Sequence, residues 1–226
     1  MKQLVKNLIG NSFSIFDYPI VVNSYGRSGS TLLTKSIMKS GVYPKSTVFN
    51  KLASGSIVKN VWSLNGEYFK SGFVYKSHDY PTDLVSGQDI RMLYVFANPV
   101  DVVLSLLRLY DKNGKGWMKT HAEHLKISYE NFDNILESDI FQLEQHINAW
   151  LESEQFPIAF IRYESMWDNQ DDISNFLGFK VKLPPYRKRR AAQVNDKVII
   201  KNIERTYGSL RNKVNKLADF FVLNDA

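Results

Sequence analysis

Apolar positions in this 226-residue chain fall into short continuous runs separated by stretches of helical periodicity. Ile20-Val21-Val22 is β-branched throughout and reads as a buried strand. Leu32, Leu33, Ser36, Ile37 and Ser40 then recur at helical spacing. Gly41 to Gly66 mixes Ser, Asn, Gly and Lys with single aromatics, shows no period, and reads as loops with short turns. Phe73-Val74-Tyr75-Lys76 is a second strand, stopped by Pro81. Met92-Leu93-Tyr94-Val95-Phe96 is a third, the most apolar run of the chain, which places it centrally in a sheet.

Asn98-Pro99 starts a helix with apolar Val102, Val103, Leu106 and Leu109 on one face and Asp101 at the positive end of its dipole. Asp111 to Lys119 reads as a Gly/Lys-rich loop. Asp139 to Glu152 is expected to be a helix, with Ile140, Leu143, Ile147, Trp150 and Leu151 on one side. Ile158-Ala159-Phe160-Ile161 follows Pro157 as a fourth strand, and Asp171 to Phe176 suggests a short helix. A last helix covers Val198 to Thr206 or beyond and closes at Gly208. Strands alternating with helices predict one α/β domain over the whole chain, a mainly parallel central sheet flanked by helices.

Composition narrows the chemistry. The absence of cysteine excludes disulfides, thiolate catalysis and cysteine-ligated metal centres. A net charge of +6 and a pI near 9.3 suit an anionic ligand. Met1 to Phe16 has no continuous apolar signal-peptide region, and no run reaches the ~20 residues of a membrane span. A cytoplasmic protein is expected.

Between the first strand and helix lies Tyr25-Gly26-Arg27-Ser28-Gly29-Ser30-Thr31. Its two glycines permit a tight loop, and a strand, such a loop and a helix together form a phosphate cradle of backbone N–H groups and helix dipole. A nucleoside-triphosphate loop would carry Gly-Lys before its hydroxyl residue. Here Ser30 follows Gly29, and the loop's cation is Arg27. The loop therefore suits a phosphate-like group other than Mg-ATP, with a ligand-free β-to-α turn as the plain alternative.

Lys76 and His78 sit at positions i and i+2 of a strand end and share a face. The lysine should hold the imidazole neutral by like-charge repulsion, so that it can accept a proton. A capped strand end with a solvated lysine is the alternative. Ser105 and Arg108, three apart on the next helix, can meet a second phosphate, or simply mark its polar side.

In order, the Arg27 loop, Lys76-Ser77-His78 and Asn98-Pro99-x-Asp101-x-x-x-Ser105 resemble the PAPS-dependent sulfotransferases, whose donor is 3′-phosphoadenosine 5′-phosphosulfate. Gln145-His146-Ile147-Asn148-Ala149-Trp150 and Arg162-Tyr163-Glu164 are similar to later elements of that family, so the resemblance runs from about Pro19 to Asp168. It implies a P-loop-like fold, sulfuryl transfer without a metal, and adenosine 3′,5′-bisphosphate as product. It further implies His78 as base, Arg27 and Lys76 on the developing charge, and the loop Tyr25 to Thr31, including Gly26, Ser28, Gly29 and Ser30, around the 5′-phosphosulfate. Asn98 and Ser105 would belong to the 3′-phosphate segment and Tyr163 would lie near the adenine.

Ala97 stands where that family has an arginine, and Arg108 or the basic run Arg187, Lys188, Arg189 and Arg190 could compensate; that run lacks the family's following glycine, and a solvated loop is its plain alternative. Ser30 and Ser77 replace threonines and keep the hydroxyls. Tyr80, Tyr110, Trp117 and His121, with His124, flank the expected site and suit a small-molecule or glycan acceptor, a carbohydrate or a phenol; the plain alternative is that Trp117 packs against the domain and the two histidines lie on the surface. His121 and His124 lack a third partner for a metal site. Three rival readings stay open: a nucleotide or small-molecule kinase with Asp79 or Asp101 on magnesium, a polyanion- or nucleic-acid-binding module using Arg187 to Arg190 and the Lys112 to Lys119 loop, and, because of Ala97, a degenerate sulfotransferase fold that binds the donor without turnover. The sulfotransferase resemblance implies no nucleic-acid partner.

Overall fold

Ile20–Asn23 (β1) is completely buried, as a strand covered on both faces must be. The computed structural model describes residues 14–42, 57–81, 89–128, 132–187 and 196–224. In chain order the other elements are Ser30–Ser40 (α1), Val58–Asn60 (β2), Val74–Lys76 (β3), Arg91–Phe96 (β4), Pro99–His124 (α2) and a 3-10 turn at Phe132–Leu136. Leu143–Leu151 (α3), Ile158–Arg162 (β5), Gln170–Leu177 (α4), Lys197–Lys216 (α5) and Phe220–Leu223 (β6) complete the fold.

The six strands run in the order β2-β3-β1-β4-β5-β6, all parallel except β6, which pairs antiparallel with β5. The result is one α/β domain with a mostly parallel sheet. β1 and β4 form its centre, in keeping with their apolar runs. The strand order switches sides at β1: β2 and β3 lie on one side of it, β4 and β5 on the other. Ligands in open α/β sheets sit beyond the carboxyl ends at such a switch point. Register brings those ends together at one edge of the sheet, with Val22 opposite Lys76, Asn23 opposite Tyr94 and Phe96 opposite Arg162.

Four expectations are corrected. Gly41 to Gly66 is not all loop, because Val58–Asn60 pairs with β3 as an edge strand too short to show a period. Asp111 to Lys119 is helical rather than a loop, and α2 is interrupted once, at Gly114 (φ 74, ψ −174). The helix expected from Asp139 begins at Leu143, because Gln142 is left-handed (φ 52) and the Asp139 carboxylate accepts from Glu144 N instead. The last helix runs through Gly208 to Lys216, held by buried Ile203, Tyr207, Leu210 and Val214. Among the described residues, no helix is long and apolar enough to cross a membrane.

Candidate active site

The loop after β1 is built from left-handed residues: Gly26 (φ 84), Arg27 (φ 53) and Gly29 (φ 96). Two of its side chains turn inward and fasten it to β4. Tyr25 hydroxyl donates to Ala97 O and accepts from Ala97 N (2.8 Å), and Ser28 Oγ donates to Val95 O at 2.8 Å. Ala97 is fully buried under that tyrosine, so no cation can be offered from its position. With its anchors used this way, the loop presents Arg27, Gly29, Ser30 and Thr31 to a hollow of about 1080 Å³.

Ser24, which the sequence reading missed, joins that loop to the end of β3. Its Oγ donates to Ser30 Oγ (2.9 Å), accepts from Gly26 N (3.2 Å) and lies 3.1 Å from His78 Nδ1. His78 Nδ1 is also 2.7 Å from the Ser24 carbonyl. A carbonyl can only accept, so Nδ1 carries the proton and Nε2 keeps its lone pair. That lone pair meets Lys76 Nζ at 2.8 Å. Burial, then Lys76, holds the His78 imidazole well below its ordinary range. Burial, then Arg27, pushes Lys76 down to about 8.

The backbone of this strand end is fixed from behind. His146 Nε2 donates to the His78 carbonyl (3.1 Å), which leaves its Nδ1 to accept from the Tyr94 hydroxyl (2.8 Å). The Asp79 carbonyl takes Trp150 Nε1 and Asn23 Nδ2, each at 3.0 Å. The Asp79 carboxylate, 1% exposed, accepts from Leu64 N, Tyr80 N and Lys126 Nζ at 2.8, 2.9 and 2.7 Å. It is not in the hollow, which removes it as the magnesium ligand of a kinase reading. Asp101 does line the hollow.

The opposite wall comes from α2 and β5. Arg27 Nε donates to Ser105 Oγ at 3.2 Å, and Arg108 lies one turn further along the same face. Tyr163 rests on the loop so closely that a Cβ at Gly29 would lie 2.1 Å from its ring. Arg162, its neighbour, is spent on structure, with its guanidinium on Asp219 and the carbonyls of Val214 and Leu217.

Of the sequence-derived candidates, Arg27, Gly29, Ser30, Thr31, Lys76, His78, Ser105, Arg108, His121 and Tyr163 share the hollow. Tyr25, Gly26, Ser28 and Asn98 serve the frame; Asn98 caps α2 by accepting from Val100 N at 3.0 Å. Three expected acceptor residues lie elsewhere. Tyr80 bonds Gln142 (3.0 Å), Tyr110 packs on Phe132, and Trp117 stacks behind His121. Arg187 is exposed and does not line the hollow, and Lys188, Arg189 and Arg190 lie outside the described residues. Lys35 and Lys39 were legible as an i, i+4 pair on the polar face of α1 and were missed. Trp62 and Lys182 arrive from distant segments and gave no local signal.

No family model matches this chain, and no curated protein matches it. Among solved structures, mouse sulfotransferase SULT7A1 complexed with PAP is similar at 18% identity and a TM-score of 0.45, covering 93% of this chain and 70% of that one. A likeness so distant carries no functional argument. The site's own geometry does.

Proposed function

We propose that the chain is a sulfotransferase that moves a sulfuryl group from 3′-phosphoadenosine 5′-phosphosulfate to an acceptor hydroxyl or amine. The observation that supports this is the convergence of a neutral imidazole, two cations and a helix start on one hollow: His78 Nε2, Lys76, Arg27 and the first residues of α1. Among the described residues, six basic side chains line that hollow (Arg27, Lys35, Lys39, Lys76, Arg108 and Lys182) against the one carboxylate of Asp101. That balance suits a polyanionic donor, and a hollow of about 1080 Å³ is at the upper end of the ~300–1,000 Å³ typical of ligand pockets, large enough for a nucleotide.

Each residue then has a defined task. The N–H groups and hydroxyls of Ser30 and Thr31 hold the 5′-phosphate at the positive end of α1. Ser105 and Arg108 take the 3′-phosphate, and Tyr163 seats the adenine against Gly29. As the acceptor oxygen bonds to sulfur, the bond from sulfur to the bridging phosphate oxygen breaks and its electron pair leaves with the bisphosphate. The acceptor proton passes to His78 Nε2. Arg27 and Lys76 face the oxygen on which charge develops. Lys76 Nζ lies 2.8 Å from His78 Nε2, so the cation that faces the developing charge also stands beside the base.

Calorimetric titration with adenosine 3′,5′-bisphosphate, ATP and AMP tests the donor class. The bisphosphate should bind most tightly, and tighter magnesium-dependent binding of ATP would overturn the reading. His78→Ala should lower transfer by roughly two to four orders of magnitude with bisphosphate affinity nearly unchanged. A fully active variant would remove His78 as the base.

A further inference from the structure

One wall of the hollow is left unused by the donor. Asn60 lies opposite Lys76 in the β2–β3 register, and Val61 N donates to Lys76 O at 2.9 Å. The chain leaving β2 therefore runs beside the strand end that carries His78. Trp62 follows. It is 53% exposed although it lines the hollow, and its ring centre is 3.8 Å from that of His124, tilted by 48°. An indole kept in water at the rim of a binding hollow is a ready stacking surface.

Deeper on the same side is His121, 9% exposed. Trp117 stacks on its ring at 5.1 Å, and the ring edge lies against Gly26, where a Cβ would come within 3.0 Å of Cε1. Its Nε2 is buried and has no hydrogen-bond partner. A buried nitrogen left so is unfavourable, and a ligand hydroxyl would satisfy it. Burial, then Arg27, pushes His121 down to about 3, so the ring is neutral at any working pH.

We infer that Trp62, His124, His121 and Asn60 form the acceptor subsite, and that it takes a carbohydrate ring, stacked on Trp62 with one hydroxyl at His78 Nε2 and another at His121 Nε2. This rests on the sulfotransferase reading. Polarity decides for a sugar over a phenol. The hollow's other apolar residues, Leu32, Leu183 and Pro184, lie along α1, where Lys182 N bonds Ser40 Oγ. Among the described residues that line the hollow, Val61 and Trp62 are the apolar ones on the β2 side. A phenol or steroid needs an enclosing apolar wall. A pyranose needs one aromatic face and polar groups around its rim, which is what this wall offers.

Saturation-transfer NMR of the full chain with methyl pyranosides and with phenol reads acceptor contact without any donor. Sugar signals that disappear in Trp62→Ala and persist in Trp62→Phe are expected. Phenol signals alone, or none from either probe, would overturn the assignment. In transfer assays with the donor present, Trp62→Ala and His121→Ala should each raise the acceptor KM at least tenfold, while the Kd for adenosine 3′,5′-bisphosphate stays within twofold. An unchanged acceptor KM would also overturn it. Failure of the bisphosphate to bind the unmodified protein appears separately, by calorimetry, and sinks the donor reading rather than the sugar site.

Discussion

Gly29 has two independent reasons to be glycine. Its φ of 96 is left-handed, and a Cβ would meet Tyr163 Cδ2 at 2.1 Å. Backbone strain alone should make Gly29→Ala unfavourable by roughly 1–3 kcal/mol. The displaced tyrosine should also weaken adenosine bisphosphate binding by at least tenfold; normal affinity measured by calorimetry would show that Tyr163 does not seat the base. Lys76 makes a pH prediction. Its folded value near 8 lies below the ordinary 10.5, so the unfolded chain holds the proton more tightly and stability rises with pH between those values. Ligand binding has the opposite sense. An anion favours the ammonium, so bisphosphate affinity should fall as pH rises through about 8, by up to tenfold per unit, and Lys76→Met should abolish that dependence.

The elements are placed by a few side chains that join distant segments. Asp79 ties the segment after β2, the turn after β3 and the residues following α2 through Leu64, Tyr80 and Lys126. Removing its carboxylate leaves buried N–H groups unpaired, so Asp79→Ala should lower stability by roughly 3 kcal/mol. In a domain of this size that is about 6–12 °C in Tm, measurable by calorimetry. Gly114 acts on direction rather than packing. Nothing lies within 4 Å of a Cβ there, yet φ 74 with ψ −174 is open essentially to glycine alone. The break aims the second half of α2, with His121 and His124, at the hollow. Gly114→Ala should favour a continuous helix, raise the acceptor KM and spare bisphosphate affinity; unchanged acceptor kinetics would contradict that role.

Across the whole molecule, buried neutral histidines set the acid limit of stability. His146 is pushed down to about 4 by burial, His121 to about 3, and His78 well below its ordinary range. The unfolded chain binds protons at each near the ordinary 6.5, so stability is lost as pH falls below that value. For His146 alone the loss at pH 5 is on the order of 2 kcal/mol. Thermal denaturation from pH 7.5 to 5 should show a falling Tm, and His146→Gln, which can donate and accept without titrating, should flatten part of the slope. A Tm independent of pH over that range would mean these rings are not buried as neutral groups.

Local chemistry made much of this architecture legible. β-branched and apolar runs mark β1, β3, β4 and β5 because a strand buried on both faces has no polar alternation to disguise it. The strand–glycine-loop–helix unit and the i, i+2 pairing of Lys76 with His78 depend on residues adjacent in the chain, so spacing alone exposes them. Short edge strands such as β2 and β6 escape notice because tertiary pairing, rather than their own pattern, makes them strands. Which side chains turn toward the hollow was likewise decided only in three dimensions. Tyr25 and Ser28 face β4 while Ser24 bridges to His78, and Trp62 and Lys182 arrive from segments far apart in sequence. Orientation of that kind follows from sheet register and long-range packing, which no local spacing encodes.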